Sequence, residues 1–180
     1  MKRLIVPTLL ALVTGLMLTW AYAASTRIVF EAESYAGIAA SMTKTKSSVA
    51  SGGYYVEIPL RRPHGQEEGA PSDQGRVFYK IKIPAAGNYR FWALCHWYDG
   101  CGNSFFVKVD DKPAVVLGQD GTYQRWHWVK GPLLQLSAGT HSITIQNRED
   151  GAKLDQVMLT NDTRYVPVRA MQQTSQYIIR

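Results

Sequence analysis

Short runs of alternating apolar and polar residues fill the chain from Arg27 onward, and Gly, Pro and Asp residues separate them. The pattern is clearest in the run that starts at Tyr89. There Tyr89, Phe91 and Ala93 alternate with Arg90, Trp92 and Leu94. No helical periodicity persists for more than a turn or two. Because successive side chains of a β-strand point to opposite faces, this pattern predicts strands. The predicted strands are residues 27–33, 54–59, 76–83, 88–97, 104–110, 114–117, 125–130, 133–136, 140–147 and 154–160.

So many short strands need two packed sheets to bury their apolar faces. The run 88–97 is apolar on both faces over much of its length, which is typical of a central strand. Gly-containing turns such as 84–88 and 137–140 suit connections between neighbouring strands. The sequence therefore predicts an all-β fold, an antiparallel two-sheet β-sandwich (jelly roll).

The first residues have a different character. Lys2 and Arg3 precede an apolar run over residues 4–20, and small residues follow at Ala21 and Ala23. This order is typical of a secretory signal peptide over residues 1–23. The alternative is an uncleaved membrane anchor, since the run is near the minimum length for spanning a bilayer. With cleavage, we expect a secreted or periplasmic protein that has no membrane segment.

Two further stretches interrupt the strand pattern. Residues 61–75 are polar and rich in Gly and Pro, so they predict a long surface loop. After Asn161 the alternation stops. We therefore expect a signal peptide, then one β-sandwich domain over residues 24–162, and a C-terminal tail over residues 163–180.

Charge and cysteine content narrow the possible functions. The net charge of +6 is spread along the chain without a basic run, which argues against nucleic-acid binding. Cys95 and Cys101 are the two cysteines. Because an exported chain meets oxidising conditions, a disulfide between them is predicted, and it would shape the loop that they bound. The alternative is two independent small core residues.

Catalytic motifs are missing from the sequence. It has no Gly-x-Ser-x-Gly elbow, phosphate-binding glycine loop or His-Glu-x-x-His motif, and its four histidines are scattered singly. The carboxylate pairs Glu67–Glu68 and Asp110–Asp111 are adjacent residues in predicted turns. They cannot face each other across a sugar as a glycosidase pair does. The sequence therefore predicts no catalytic residues and no enzyme activity.

Aromatic residues in turn-rich places suggest a binding role instead. Tyr55 follows Gly52-Gly53, Trp97 lies between the cysteines, and Trp126 is two residues before Trp128, hence on the same face of a regular strand. Aromatic rings form flat platforms for the apolar face of a sugar, while nearby polar groups bind its hydroxyls. The alternative for these rings is core packing, which we favour for Trp92 and Trp128.

Acidic residues form another group of candidates. Glu31 and Glu33 share one strand face, and Asp155 is a lone carboxylate in an apolar run. Burying an unpaired carboxylate is costly, so Asp155 needs a partner. First and last strands of a sandwich are often neighbours, so the three could bind one hard cation, for which calcium is suited. The alternative is a solvated sheet edge.

Taken in order, these motifs resemble carbohydrate-binding modules of the family 6 and family 35 type, which have a galactose-binding-like β-jelly roll. The resemblance covers about residues 27–162. The motifs that carry it are Glu31-Ala32-Glu33, Gly52-Gly53-Tyr54-Tyr55-Val56, Gly87-Asn88-Tyr89-Arg90-Phe91-Trp92, Asn103-Ser104-Phe105-Phe106-Val107, Trp126-His127-Trp128, Ala138-Gly139-Thr140-His141 and Lys153-Leu154-Asp155.

The resemblance implies non-catalytic sugar binding and a structural calcium, whose ligands here would be Glu31, Glu33 and Asp155. Modules of this type bind sugar with a Tyr after the Gly-rich turn, a later Trp and an Asn just before the late Asp. Tyr55 (or Tyr54) and Trp126 match the first two. Lys153 replaces the Asn, which leaves room for an acidic sugar or for loss of this site.

The sequence thus supports two hypotheses. In the first, the protein binds a polysaccharide or oligosaccharide. Its predicted site comprises stacking residues and polar contacts, namely Tyr55, Trp97, Trp126, Asp99, Asn103 and Lys153. In the second, the same fold has a degenerate sugar site and serves as a structural or interaction subunit of an extracytoplasmic assembly, with a protein partner bound through its loops or the C-terminal tail.

Overall fold

The computed structural model describes residues 25–61 and 75–179. The predicted signal peptide, most of the predicted loop 61–75 with its Glu67–Glu68 pair, and the last residue lie outside these ranges. Within them, no helix is both long enough and apolar enough to cross a membrane.

Strands make up most of the described structure, with two single-turn 3₁₀ helices at Ser51–Gly53 and Ser175–Tyr177. The strands are β1 Arg27–Glu31, β2 Gly37–Ala39, β3 Thr43–Lys46, β4 Tyr54–Glu57, β5 Arg76–Ile83, β6 Gly87–His96, β7 Ser104–Val109, β8 Val115–Gly118, β9 Trp126–Leu136, β10 Gly139–Gln146, β11 Lys153–Thr160 and β12 Ile178–Ile179.

These strands form two antiparallel sheets. The first sheet has the order β3-β4-β11-β6-β9, and β1 also pairs with β11. The second sheet has the order β12-β5-β10-β7-β8, and β2 also pairs with β5. The predicted all-β, two-sheet sandwich is confirmed. Two predicted strands, 125–130 and 133–136, are one strand, β9, which continues through Gly131 and Pro132.

The prediction of a central strand for 88–97 is also confirmed, since β6 lies between β11 and β9. Its inner face contributes residues such as Phe91 and Cys95 to the main core between the sheets. Its outer face carries Trp92 and Leu94, which are also buried. Because both faces are covered, the run lacks a polar side over much of its length.

The outer cover comes from residues 163–179, here called the C-terminal segment. Tyr165 and Met171 of this segment pack against a second apolar cluster formed by Val29, Trp92 and Met158. The segment ends in β12, which pairs with β5 of the other sheet. The C-terminal segment therefore contacts both sheets.

The predicted disulfide is absent, and both cysteines are free. Cys95 lies on the inward face of β6 and is fully buried, whereas Cys101 is exposed in the turn that follows. The alternation of β6 directs the Cys95 thiol into the core, and this explains the difference. Burial raises the pKa of the Cys95 thiol well above its usual value, with smaller contributions from Asp120 and Asp155.

Candidate functional site

Three of the predicted sugar-site residues come together at one end of the first sheet. Lys153 on β11 is opposite His96 on β6, and His96 is opposite Trp126 on β9. Tyr55 on β4 leans over this row, with its ring centroid 5.8 Å from that of Trp126. We call Tyr55, His96, Trp126 and Lys153 the aromatic cluster.

Contacts within the aromatic cluster are close. The Tyr55 and Trp126 rings are inclined by 59° and touch, so no sugar ring fits between them. The His96 ring meets Trp126 edge-on at 5.5 Å, and Lys153 Nζ lies 5.3 Å from the Tyr55 ring centroid. A ligand can therefore stack only on the outward faces of these rings.

Electrostatic effects keep His96 neutral. Burial, followed by the nearby positive charge of Lys153, lowers the pKa of His96. Its Nδ1 atom is buried and has no hydrogen-bond partner. Burial, followed by the charge of Glu57, raises the pKa of Tyr55, so its hydroxyl stays protonated. The cluster thus offers neutral hydrogen-bonding groups and one lysine cation.

Beside the aromatic cluster is an open cleft of about 530 Å³. It lies over the outer face of the first sheet, between β9, the loop before β4 and the C-terminal segment. Its lining includes Leu94, Trp126, Trp128 and Asp155, together with residues 167–170. Trp126 borders both the cleft and the aromatic cluster, so the two form one continuous surface.

Trp97 does not belong to this site, contrary to the prediction. It is 0% exposed and packs in the core, with its ring 5.5 Å from Phe105 and 6.1 Å from His127. The inward alternation of Phe91, Ala93 and Cys95 continues to position 97, and this places Trp97 inside. A sugar cannot reach its ring.

Asp99 and Asn103 also lie apart from the aromatic cluster, and they stabilise the turn after β6. Asp99 Oδ1 accepts a hydrogen bond from Cys101 N at 2.8 Å. Asn103 is buried, and its Nδ2 donates to Gly100 O at 3.0 Å while its backbone N donates to Glu149 Oε2 at 2.8 Å. These bonds stabilise the turn that follows β6.

The three predicted metal ligands lie around the turn at Ser51. Glu31 Oε1 accepts hydrogen bonds from Ser51 Oγ and Gln156 Nε2, each at 2.9 Å. Asp155 Oδ2 accepts from Ser51 N at 3.1 Å. Glu33 lies beside Gly52, whose missing side chain leaves room for its carboxylate. We call Glu31, Glu33 and Asp155 the carboxylate cluster.

Each member of the carboxylate cluster has one buried oxygen without a hydrogen-bond partner, namely Glu31 Oε2, Glu33 Oε2 and Asp155 Oδ1. Burial, and then the charge of Glu31, raises the pKa of Asp155 to about 7. Burial, with the charges of Glu31 and Asp155, likewise raises the pKa of Glu33 to about 7. Unpartnered oxygens and mutual repulsion suit a cation-binding site.

The spacing of these groups is less favourable than their chemistry. In the described ranges, no three His, Cys, Asp or Glu side chains already have the arrangement of a metal site. The carboxylate cluster therefore fits a hard cation in its donor type and in its unpartnered oxygens, whereas its side chains would have to converge to bind one.

A Ser-His-Asp group occurs at the turn between β9 and β10, but its geometry is structural. His141 Nδ1 is 2.7 Å from Asp110 Oδ2, while Nε2 is 3.0 Å from the Ser137 carbonyl oxygen and 3.3 Å from Ser137 Oγ. Asp110 Oδ1 also accepts a hydrogen bond from Ser142 N at 2.9 Å, so the carboxylate links the turn to β10. The Ser137 Oγ to Nε2 distance is longer than the about 2.6–3.2 Å of a nucleophile and its base, and the same nitrogen lies closer to the Ser137 carbonyl oxygen, so the group fits a structural turn better than a triad.

Sequence reasoning missed several residues that line the site. His96 could have been found, because the alternation of β6 places it on the outer face with Trp92 and Leu94. Residues 167–170 have no local sequence pattern that associates them with Trp126. Arg125 was likewise not singled out, although it adjoins Trp126 in sequence and lines the cleft.

No family model matches the sequence, and no curated protein matches it. Solved structures do match in fold. A family 35 carbohydrate-binding module from Clostridium thermocellum has a TM-score of 0.54 and 18% identity, over 73% of this chain and 96% of that one. A family 6 module of Cellvibrio mixtus lichenase 5A, solved with cellotriose, has a TM-score of 0.53 and 19% identity, over 76% and 97%.

An exo-β-1,3-galactanase from Phanerochaete chrysosporium has a TM-score of 0.57 and 21% identity. The match covers 74% of this chain but only 29% of the galactanase, so this chain corresponds to a part of that enzyme. Together these likenesses show that the chain has the β-sandwich fold of family 6 and family 35 carbohydrate-binding modules, as the sequence resemblance predicted.

Proposed function

We propose that this protein is a secreted or periplasmic, non-catalytic carbohydrate-binding protein with a structural calcium. The observation that carries the proposal is the aromatic cluster beside an open cleft, on a fold shared with carbohydrate-binding modules. Export is supported by the basic and then apolar pattern of residues 1–23. The ligand is a polysaccharide or oligosaccharide, and the cellotriose bound by the Cellvibrio mixtus module supports this class.

In this proposal the outward face of Trp126 stacks on the apolar face of a sugar ring. Tyr55 supports the indole from the side and extends the platform. Lys153 Nζ lies close enough to this platform to donate to a hydroxyl or carboxylate group of the sugar. Neutral His96 adds a hydrogen-bonding group at the base of the platform.

Calcium would be held by Glu31, Glu33 and Asp155. A divalent cation would give partners to their buried unpartnered oxygens and offset their mutual repulsion. Since these residues come from β1, the turn after it and β11, the metal would link the first and last strands of the sandwich domain. Its role would be structural.

One observation favours the second hypothesis. Lys153 Nζ lies over the Tyr55 ring and so occupies part of the stacking surface. In this alternative the sugar site is degenerate and the same face, with its loops, binds a protein partner as part of an extracytoplasmic assembly.

Glycan binding by the mature chain in calcium tests the proposal. We expect Trp126→Ala and Tyr55→Ala each to weaken binding about tenfold or more, because each removes aromatic contact area with the sugar. The control is Tyr123→Ala, since Tyr123 is 41% exposed in the loop before β9 and lies outside the aromatic cluster.

Binding that survives both Trp126→Ala and Tyr55→Ala would contradict this site. If the native protein binds no glycan in calcium, the proposed function itself is wrong. Capture of a protein partner that is lost in the Trp126 and Tyr55 variants, without any glycan binding, would support the alternative.

A further inference from the structure

The C-terminal segment is fixed to the first sheet through its backbone. Trp128 Nε1 donates to Arg169 O at 3.0 Å, and Met171 N donates to Gln156 Oε1 at 2.8 Å. Gln156 Nε2 in turn donates to Met171 O at 2.6 Å. These bonds use main-chain atoms of residues 169 and 171, so they hold the segment in place whatever side chain residue 169 carries.

Residues 167–170, around the first of these anchors, form part of the lining of the cleft. Pro167 is buried, whereas Val168, Arg169 and Ala170 are exposed and line the opening. Trp126 and the adjacent residue Arg125, from the start of β9, also line the cleft. A volume of about 530 Å³ lies within the range of about 300–1,000 Å³ that is usual for small-ligand sites.

The residues that line the cleft include more positive than negative side chains. Arg125 and Arg169 are exposed and both line the cleft, and neither forms an ion pair within the described ranges. Asp155 is the one carboxylate among the described lining residues. Its Oδ2 accepts a hydrogen bond from Ser51 N, the residue around which the carboxylate cluster lies. The cleft therefore combines an aromatic face with two unpaired guanidinium groups.

We propose that the cleft binds an acidic sugar residue of a glycan, with the sugar ring on Trp126 and its anionic group near Arg125 and Arg169. Guanidinium groups form strong charge-assisted hydrogen bonds with carboxylate and sulfate oxygens. The C-terminal segment is then part of the binding site and, through Arg169, contributes to its preference for charge. This inference rests on the proposed carbohydrate binding and adds the charge of the ligand to it.

Paired ligands that differ only in charge provide the test. Calorimetry compares trigalacturonate with its neutral methyl ester, and a sulfated galactan oligosaccharide with its desulfated form. We expect the acidic member of at least one pair to bind about tenfold more tightly, because charged hydrogen bonds are roughly twice as strong as neutral ones. The pair that shows this preference identifies the anionic group as carboxylate or sulfate.

Substitutions test whether Arg125 and Arg169 cause the preference for acidic ligands. Arg125→Gln and Arg169→Gln should each reduce the ratio of acidic to neutral affinity about threefold or more, since each removes a charge-assisted bond. Arg164→Gln is the matched control, because Arg164 is an exposed arginine of the same segment that does not line the cleft. It should leave the ratio unchanged.

The inference is overturned if both pairs show equal affinities, or if Arg125→Gln and Arg169→Gln behave like Arg164→Gln. Neutral glycans that bind through Trp126 without any preference for acidic ones would leave the proposed function standing and overturn this inference alone. Absence of binding to these ligands and to all other glycans alike would instead overturn the proposed function. Arg125 lies outside the C-terminal segment, so its variant tests the cleft even if Arg169→Gln disturbs the segment.

Discussion

Glu33 and Asp155 are acids that the folded protein keeps partly protonated near neutral pH, because burial and neighbouring carboxylates raise the pKa of each to about 7. In the unfolded chain the same groups ionise near pH 4. The folded state therefore binds more protons than the unfolded state between these pH values. Their contribution to stability is complete below about pH 4 and decreases as the pH rises to about 7.

This linkage gives a prediction for calcium. Without calcium, we expect the melting temperature to fall between about pH 5 and about pH 8, since Glu33 and Asp155 must ionise while buried. Calcium should raise it more at the higher pH, where the ligands are deprotonated. Thermal unfolding followed by circular dichroism, in EDTA and in calcium, measures both effects.

The double variant Glu33→Gln/Asp155→Asn should lose most of the pH dependence and the response to calcium. Asp162→Asn, an acidic-to-amide change outside the carboxylate cluster, should keep both. A calcium effect of equal size at both pH values would contradict the assignment of these ligands.

The turn Ser51–Gly53 connects the small-residue stretch after β3 to β4 and positions the carboxylate cluster. Gly52 and Gly53 both have positive φ angles, 66° and 85°, which strain any other residue. Their surroundings differ, because a Cβ atom on Gly52 would overlap Glu33 Oε1, whereas one on Gly53 meets nothing within 4 Å.

A matched pair of variants uses this difference. Gly52→Ala and Gly53→Ala should both lose about 1 kcal/mol of stability from backbone strain. Gly52→Ala should in addition displace Glu33 and weaken calcium binding, whereas Gly53→Ala should not. Calcium titration by calorimetry, with urea unfolding in EDTA, separates the effects. Equal calcium affinities in the two variants would show that Glu33 is not a ligand.

The C-terminal segment also depends on a few specific bonds to the edge of β1. Thr174 Oγ1 accepts a hydrogen bond from Val29 N at 2.7 Å, and Thr174 N donates to Val29 O at 2.8 Å. Val29 is 1% exposed, so water cannot replace the side-chain bond.

We therefore expect Thr174→Val to destabilise the protein by about 1–3 kcal/mol, the usual cost of leaving a buried donor without a partner. Urea unfolding measures the change. Thr163→Val, at an exposed position of the same segment, should change stability by less than about 0.5 kcal/mol. Equal effects from the two variants would mean that the segment is not anchored through Thr174.

At the scale of the whole molecule, the two faces of the first sheet have different surroundings. The inner face packs against the second sheet to form the main core. The outer face is partly covered by the C-terminal segment and carries the cleft and the aromatic cluster on the remainder. Trp97 belongs to the inner side and Trp126 to the outer, although both are aromatic residues near strand ends.

This division predicts opposite effects for two tryptophan substitutions. Trp97→Ala should destabilise the protein by about 3–5 kcal/mol, since it empties a fully buried site, while glycan affinity of the folded fraction is kept. Trp126→Ala should lose glycan binding with a much smaller loss of stability. Urea unfolding and calorimetry on both variants provide the test, and loss of affinity in a folded Trp97 variant would contradict it.

Local pattern was enough to predict most of the strands, because a half-buried strand must alternate residue by residue. It predicted β6 as central and brought the distant residues Glu31 and Asp155 together through the expected pairing of the first and last strands of the predicted domain, which are β1 and β11 and do pair. The same alternation already pointed Cys95 and Trp97 inward. The predictions of a disulfide at Cys95 and of sugar stacking at Trp97 failed because they relied on the neighbouring turn instead.

Other features depended on tertiary structure. The strands β2, β3 and β12 are too short, and β3 too polar, for a recognisable pattern. The contact of Tyr55 with Trp126, which excludes a sugar from between them, depends on side-chain orientations that spacing does not determine. The cleft exists because residues 167–170 lie beside Trp126, more than 40 residues away in sequence. The sequence determined which faces are apolar, and the packing of distant segments over those faces decided which surface remained open to a ligand.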